Sequence, residues 1–164
     1  MRVKFLKALA PLVLVFTLFS CSPSSDDAAV TETQVMNYNY NADETELARI
    51  INEYRVSIGL NELIMVNHIS YKSEEHNEYM IENNVVDHAY FQERSDNIIH
   101  VLGAVTVNEN VAYNFMTPQS ALSAWLNSPG HKANIEGNST HFGISVTTSP
   151  TTGKKYYTNI FMKK

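Results

Sequence analysis

The sequence of 164 residues contains one cysteine, Cys21. A single thiol excludes an internal disulfide framework. Basic residues are also scarce: 12 Lys and Arg stand against 17 Asp and Glu, a formal net charge of -5. Phosphate binding needs clustered Lys and Arg, so this balance argues against nucleic acid as a partner. No apolar run is long enough to span a bilayer, which takes about 20 residues; the run from Ala8 to Phe19 is too brief. No period of about 20–50 residues recurs, which excludes a repeat architecture. Neither H-E-x-x-H nor G-x-S-x-G occurs, so the local signatures of a zinc peptidase and of a serine hydrolase elbow are both missing.

What is present begins with a leader. Arg2, Lys4 and Lys7 precede the apolar run from Ala8 to Phe19, which is the layout of a cleavable signal peptide over residues 1–20. Leu18-Phe19-Ser20-Cys21 reads as a bacterial lipoprotein box, with cleavage before Cys21 and lipidation of its thiol. Such an anchor would hold the chain at a membrane surface; the alternative is a secreted protein with one free thiol. Cleavage would remove three basic residues and bring the net charge to about -8. Residues 21–42 are polar and aperiodic and read as a flexible tether, with the folded domain over residues 43–164.

Within the domain, helical periods come first. Asp43 and Glu46 have capping-box character, and Leu47, Ile50, Ile51, Tyr54 and Ile58 recur at helical spacing until Gly59. Asn67 can cap a second helix bearing Ile69, Ser73, His76 and Met80 on one side. Thr117 caps a third, with Pro118 at its first position, Ala121, Leu122 and Trp125 on one face, and Pro129-Gly130 as its stop. After Asn138 the period falls to two, over 142–147 and 156–161, and residues 149–153 form the turn of a closing antiparallel hairpin. Helices followed by strands give an α+β class.

Histidine carries the candidate chemistry. His88 falls past the second helix, Glu109 lies within "NENVAY", and His131 opens the loop after the third helix. Two neutral imidazoles and one carboxylate suffice for zinc or another divalent cation if the fold gathers them. Their intervals of 21 and 22 residues belong to no local motif. The other histidines have plainer readings: His76 as a hydrogen-bonded, partly buried residue, His68 and His100 at the surface, His141 as a polar strand residue. Trp125 reads as core, and Asn110 and Asn134 as amides that satisfy loop backbone.

Taken together, "INEYR" with "IGLNEL", the "DH" at His88, "NENVAY" and "AWLNSPGHKAN" resemble the CAP superfamily of cysteine-rich secretory, antigen 5 and pathogenesis-related proteins, in its bacterial SCP form. Trp125, Ser128, Gly130, His131 and Asn134 all stand at the family spacing. The resemblance implies a three-layer α-β-α sandwich with a small antiparallel sheet and a surface cleft. His88, Glu109 and His131 would converge there on a weakly bound divalent cation, a small ligand, a lipid, a glycan or a partner protein. It implies an envelope protein, periplasmic or surface-exposed, whose domain is a non-catalytic binding module. The alternative is a metal-dependent hydrolase in which His88, Glu109 and His131 activate water, with Glu109 and His131 as its catalytic groups.

Two departures from the family pattern stand out. Asn127 and Ser128 occupy the place of a second cleft glutamate, which weakens the expected metal site. Asn108 replaces the glycine of the family's G-E-N turn.

Overall fold

The structure, a computed structural model, describes residues 34–164; the leader and Cys21 lie outside the described residues. Two helix layers enclose a four-stranded sheet of order β1-β3-β4-β2, made of β1 (Ile64–Met65), β2 (Thr106–Tyr113), β3 (His141–Thr148) and β4 (Lys155–Lys163). The expected closing hairpin is β3-β4, antiparallel throughout, with β2 antiparallel on its other side. The sheet is mixed rather than purely antiparallel, because the short β1 runs parallel to β3.

Period-two alternation in β3 and β4 reflects two buried faces rather than one buried and one wet. Phe142, Ile144, Tyr157 and Phe161 pack with Leu47 and Ile51 of α1 (Ala42–Ser57), Leu122 and Trp125 of α4 (Pro118–Leu126) and Ile135 of α5 (Pro129–Ile135). On the opposite face, Ile160 and Met162 pack with Ile69 of α2 (Asn67–Asn83) and Ile98 of α3 (Phe91–Leu102), while Met80 meets Val111 and Tyr156. Gly143 lets α2 lie against β3: a Cβ there would sit 2.3 Å from the Ser70 nitrogen.

The start of the domain lies earlier than composition suggests. Asn41 caps α1 and forms a reciprocal box with Glu44, not Asp43 with Glu46. Residues 36–41, expected as tether, are fastened to the domain. The Met36 N–H donates to His68 Nδ1, Tyr38 Oη to Glu44 Oε1, Tyr40 Oη to Asn67 Oδ1 and Asn41 Nδ2 to the Val146 carbonyl. His68 is therefore buried, against its surface reading, and its Nε2 meets Asn97 Oδ1 at 2.7 Å. His100 is exposed, as expected. Asn67 is the first residue of α2 rather than its cap, a place taken by Val66 without a side-chain bond.

Three further differences bear on the site. Ile58 lies half out of the core at the end of α1, and the buried face is completed by Arg55. Its guanidinium donates to the carbonyls of Asn61, Ile135 and Gly137 and holds the segment after α5. Pro129-Gly130 does end α4, yet Pro129 is also the first residue of α5, so His131 sits in the first turn of a helix, not in a loop. Asn108 lies in extended β2, so no turn there requires glycine.

Candidate functional site

Glu109 points from β2 toward α2 and α3, where it is almost wholly buried. Arg94 of α3 meets it as a fork, Nε donating to Oε2 and Nη2 to Oε1, both at 2.9 Å. Planar bidentate pairing of this kind is among the strongest charged hydrogen bonds. His88, in the loop between α2 and α3, donates from Nδ1 to Glu109 Oε1 at 2.8 Å. That bond fixes its neutral tautomer, leaving Nε2 with a lone pair. His76 of α2 lies behind: Nε2 donates to the Asp87 carbonyl at 2.8 Å and stands 3.8 Å from Glu109 Oε1.

Desolvation holds His76 below the ordinary histidine range against the pull of the Glu109 charge, so the ring is neutral. Its Nδ1 is buried and has no hydrogen-bond partner among the described residues. The expectation that His76 is structural and hydrogen-bonded holds, although its burial is complete.

The same groups fix the 87–90 loop. The Asp87 carbonyl is held by His76, the Ala89 N–H donates to Asp87 Oδ1, the Ala89 carbonyl accepts from Arg94 Nη1 at 2.7 Å, and the His88 carbonyl accepts from the Phe91 N–H. Tyr90 takes a left-handed conformation, φ 58°, at the start of α3. A bulky residue is strained there. Its ring stands perpendicular to that of Tyr79, centroids 5.2 Å apart, and Tyr79 stacks on His76. Burial and the nearby Asp87 and Tyr90 raise the Tyr79 phenol above its ordinary range. On this pinned loop the side chain of His88 is 48% exposed and Tyr90 is 60% exposed, whereas the Glu109 side chain is 2% exposed.

From the other face of the sheet, α5 reaches the outer edge of β2. Asn110, fully buried, donates from Nδ2 to the His131 carbonyl at 3.0 Å, and Asn134 Nδ2 donates to the Glu109 carbonyl and to Asn110 Oδ1. Trp125 Nε1 donates to the Val111 carbonyl at 2.9 Å. Trp125 is core as expected, and both asparagines are structural amides, although the backbone they satisfy belongs to β2 and α5 rather than to a loop. His131 is pushed below its ordinary range by burial and by the charge that His88 carries when protonated.

Both Glu109 oxygens are engaged by Arg94, and among the described residues no three His, Cys, Asp or Glu side chains are grouped to hold a cation. A carboxylate already matched by a guanidinium adds no net anionic charge to offset a metal. Asn127, where a second cleft glutamate would stand, is exposed and donates to the Ser123 carbonyl. Ser128 heads α5 without a side-chain cap bond. His141 starts β3 beside Thr140 Oγ1, as a polar strand residue should. A cavity of about 390 Å³ lies elsewhere, lined by Arg55, Leu60, Ile64, Thr140 and Lys163, and includes none of the cleft histidines.

Comparison with known proteins now decides the family. The family model for the cysteine-rich secretory protein family, CAP, matches residues 48–161. The chain belongs to the CAP family. This CAP domain is 33% identical over 125 residues to the uncharacterized membrane protein YlbC of Bacillus subtilis, covering 74% of the chain and 34% of YlbC. It therefore spans about a third of that relative's length. Among solved structures it is similar to an outer surface protein of Borrelia burgdorferi, at 20% identity and TM-score 0.69, covering 80% of this chain and 99% of that one. It is also similar to an SCP-domain extracellular protein of Bacillus anthracis, at 25% identity and TM-score 0.64, covering 74% and 40%. The CAP domain's Arg94 and Tyr90 had no signal in the sequence motifs, since neither lies in the stretches that carry the family resemblance.

Proposed function

We propose that this CAP domain is a non-catalytic binding module of the bacterial cell envelope, presenting His88 and Tyr90 to a ligand above a neutralised Glu109. One observation carries the reading: buried charged and aromatic groups are arranged to immobilise a loop whose own side chains face solvent. A rigid, solvent-facing pair lowers the entropy lost on binding. The same arrangement leaves Glu109 poorly suited to act as a base, since proton transfer to it would break a bidentate ion pair.

Envelope placement is supported by the lipoprotein-type sequence around Cys21 and by the membrane and extracellular relatives.

The test is saturable binding of the purified full chain to isolated bacterial envelope material, compared with its His88→Ala and Tyr90→Asn variants. Binding weakened in both variants is expected. Ester or peptide turnover that is lost in Glu109→Gln would overturn the non-catalytic reading. Cys21→Ser should release the protein from membranes, and retention of the variant would remove the anchor.

A further inference from the structure

The chemistry of the exposed pair narrows the ligand class, an inference that rests on the binding-module reading. Glu109 carries one negative charge and Arg94 matches it with one positive charge at hydrogen-bond distance. The remaining carboxylate of the loop, Asp87, accepts from the Ala89 N–H, and Lys132 beside His131 lies 3.7 Å from Glu136. The ion pair beneath His88 is therefore charge-matched, and Asp87 is the one carboxylate of this loop that no cation pairs among the described residues.

What the cleft offers is specific in two ways. His88 Nδ1 donates to Glu109, so in the neutral ring Nε2 is an acceptor and needs a ligand that brings a hydrogen. Ionised carboxylates and phosphodiesters carry no such hydrogen, whereas hydroxyl groups do. Two residues away, the Tyr90 ring is exposed, set at right angles to Tyr79 and held in a strained backbone conformation. A rigid exposed aromatic ring takes up a ligand with a flat C–H face. Val86, exposed on the same loop approach, extends the apolar part. Hydroxyls at the rim and C–H groups on the face are together the chemistry of a pyranose ring.

We propose that the cleft binds a neutral carbohydrate chain, with one sugar stacked on Tyr90 and one of its hydroxyl groups donating to His88 Nε2.

The experiment titrates the full chain, in detergent if it is lipidated, with three neutral tetrasaccharides: tetra-N-acetylchitotetraose, maltotetraose and cellotetraose. Calorimetry should show saturable binding of at least one. Affinity should fall about tenfold or more in Tyr90→Asn and in His88→Ala, and Tyr90→Trp should retain it. Asparagine accepts the left-handed backbone, so Tyr90→Asn keeps its fold, and thermal unfolding of each variant verifies this. Affinity should change less than about twofold between roughly 50 and 500 mM salt, because no charge is exchanged.

Absence of binding to all three sugars, equal binding by Tyr90→Asn, or collapse of affinity in salt would each overturn the proposal. If the sugars fail while envelope binding still depends on His88, the carbohydrate falls and the binding module stands. Binding to phosphatidylglycerol vesicles instead would point to a lipid surface and count against the sugar. If the envelope material fails as well, both readings fall.

Discussion

Arg94 clasps both carboxylate oxygens of Glu109, and each partner is nearly shut off from water. Removing one partner strands the other as a buried charge, which costs about 3–5 kcal/mol. Arg94→Met and Glu109→Gln should each lower stability by that order in urea unfolding. The double variant Arg94→Met/Glu109→Gln should be more stable than the sum of single losses, by about 0.5–3 kcal/mol.

Freeing the carboxylate should also change the cleft's response to metal. Arg94→Met leaves Glu109 with an uncompensated charge beside His88 Nδ1, a better set of donors than the parent offers. Zinc calorimetry is expected to show tighter binding in Arg94→Met than in the parent, with the gain lost on adding His88→Ala. Equal affinity in parent and Arg94→Met would mean that the ion pair is not what keeps a cation away.

Backbone strain at Tyr90 has its own signature. A non-glycine residue in the left-handed region costs roughly 1–2 kcal/mol, and the edge contact with Tyr79 returns about 0.5–1.5 kcal/mol. Tyr90→Asn should therefore be close to the parent in thermal midpoint. Tyr90→Ala, which loses the contact and keeps the strain, should be less stable than Tyr90→Asn by about 0.5 kcal/mol or more. The reverse order would show that the loop relaxes without strain.

Acid should weaken the fold from neutral pH downward. Burial keeps the folded-state pKa of His76 and His131 low, aided at His131 by the His88 charge. Burial and Lys164 do the same at His141. In the unfolded chain these rings take up protons near pH 6.5, so below that pH the unfolded state holds more protons and stability falls with pH. Thermal midpoints should be flat from about pH 8 to 7 and decline toward about pH 5, with a shallower decline in His76→Gln.

Gly143 tests the helix-on-sheet contact. An added Cβ would meet the Ser70 nitrogen at 2.3 Å and the Ile69 carbonyl carbon at 2.5 Å, both backbone atoms of α2. Gly143→Ala should cost about 1–3 kcal/mol or more, read from urea unfolding, because the helix must move as a unit.

Much of the fold was legible because it is locally encoded. Thr117-Pro118 starts α4, the 149–153 turn closes β3 and β4, and Trp125 and Leu122 face the core as their spacing indicates. Errors arose where long-range contacts overrule local pattern. Asn41 rather than Asp43 caps α1 because Glu44 is also needed by the Val146 N–H and the Tyr38 hydroxyl. His68 is buried because residues before α1 fold back over it.

The candidate site shows the same division. His88 and Glu109 do meet, while His131 is tied to β2 through its carbonyl, which accepts from Asn110. Arg94 was invisible, since nothing in an arginine's sequence neighbourhood says that its guanidinium will turn inward to an acid 15 positions away.

The outer edge of β2 carries one more consequence. The Asn114 N–H bonds the Lys155 carbonyl, so even-numbered residues of β2 face β4, and Glu109 and Val111 direct their carbonyls to the free side. Those are the two carbonyls taken by Asn134 and Trp125. A strand from a neighbouring molecule finds both acceptors occupied and two helices in its path. Copies crowded together are thereby kept from zipping into a shared ribbon, by the same side chains that hold α4 and α5 beside the histidines.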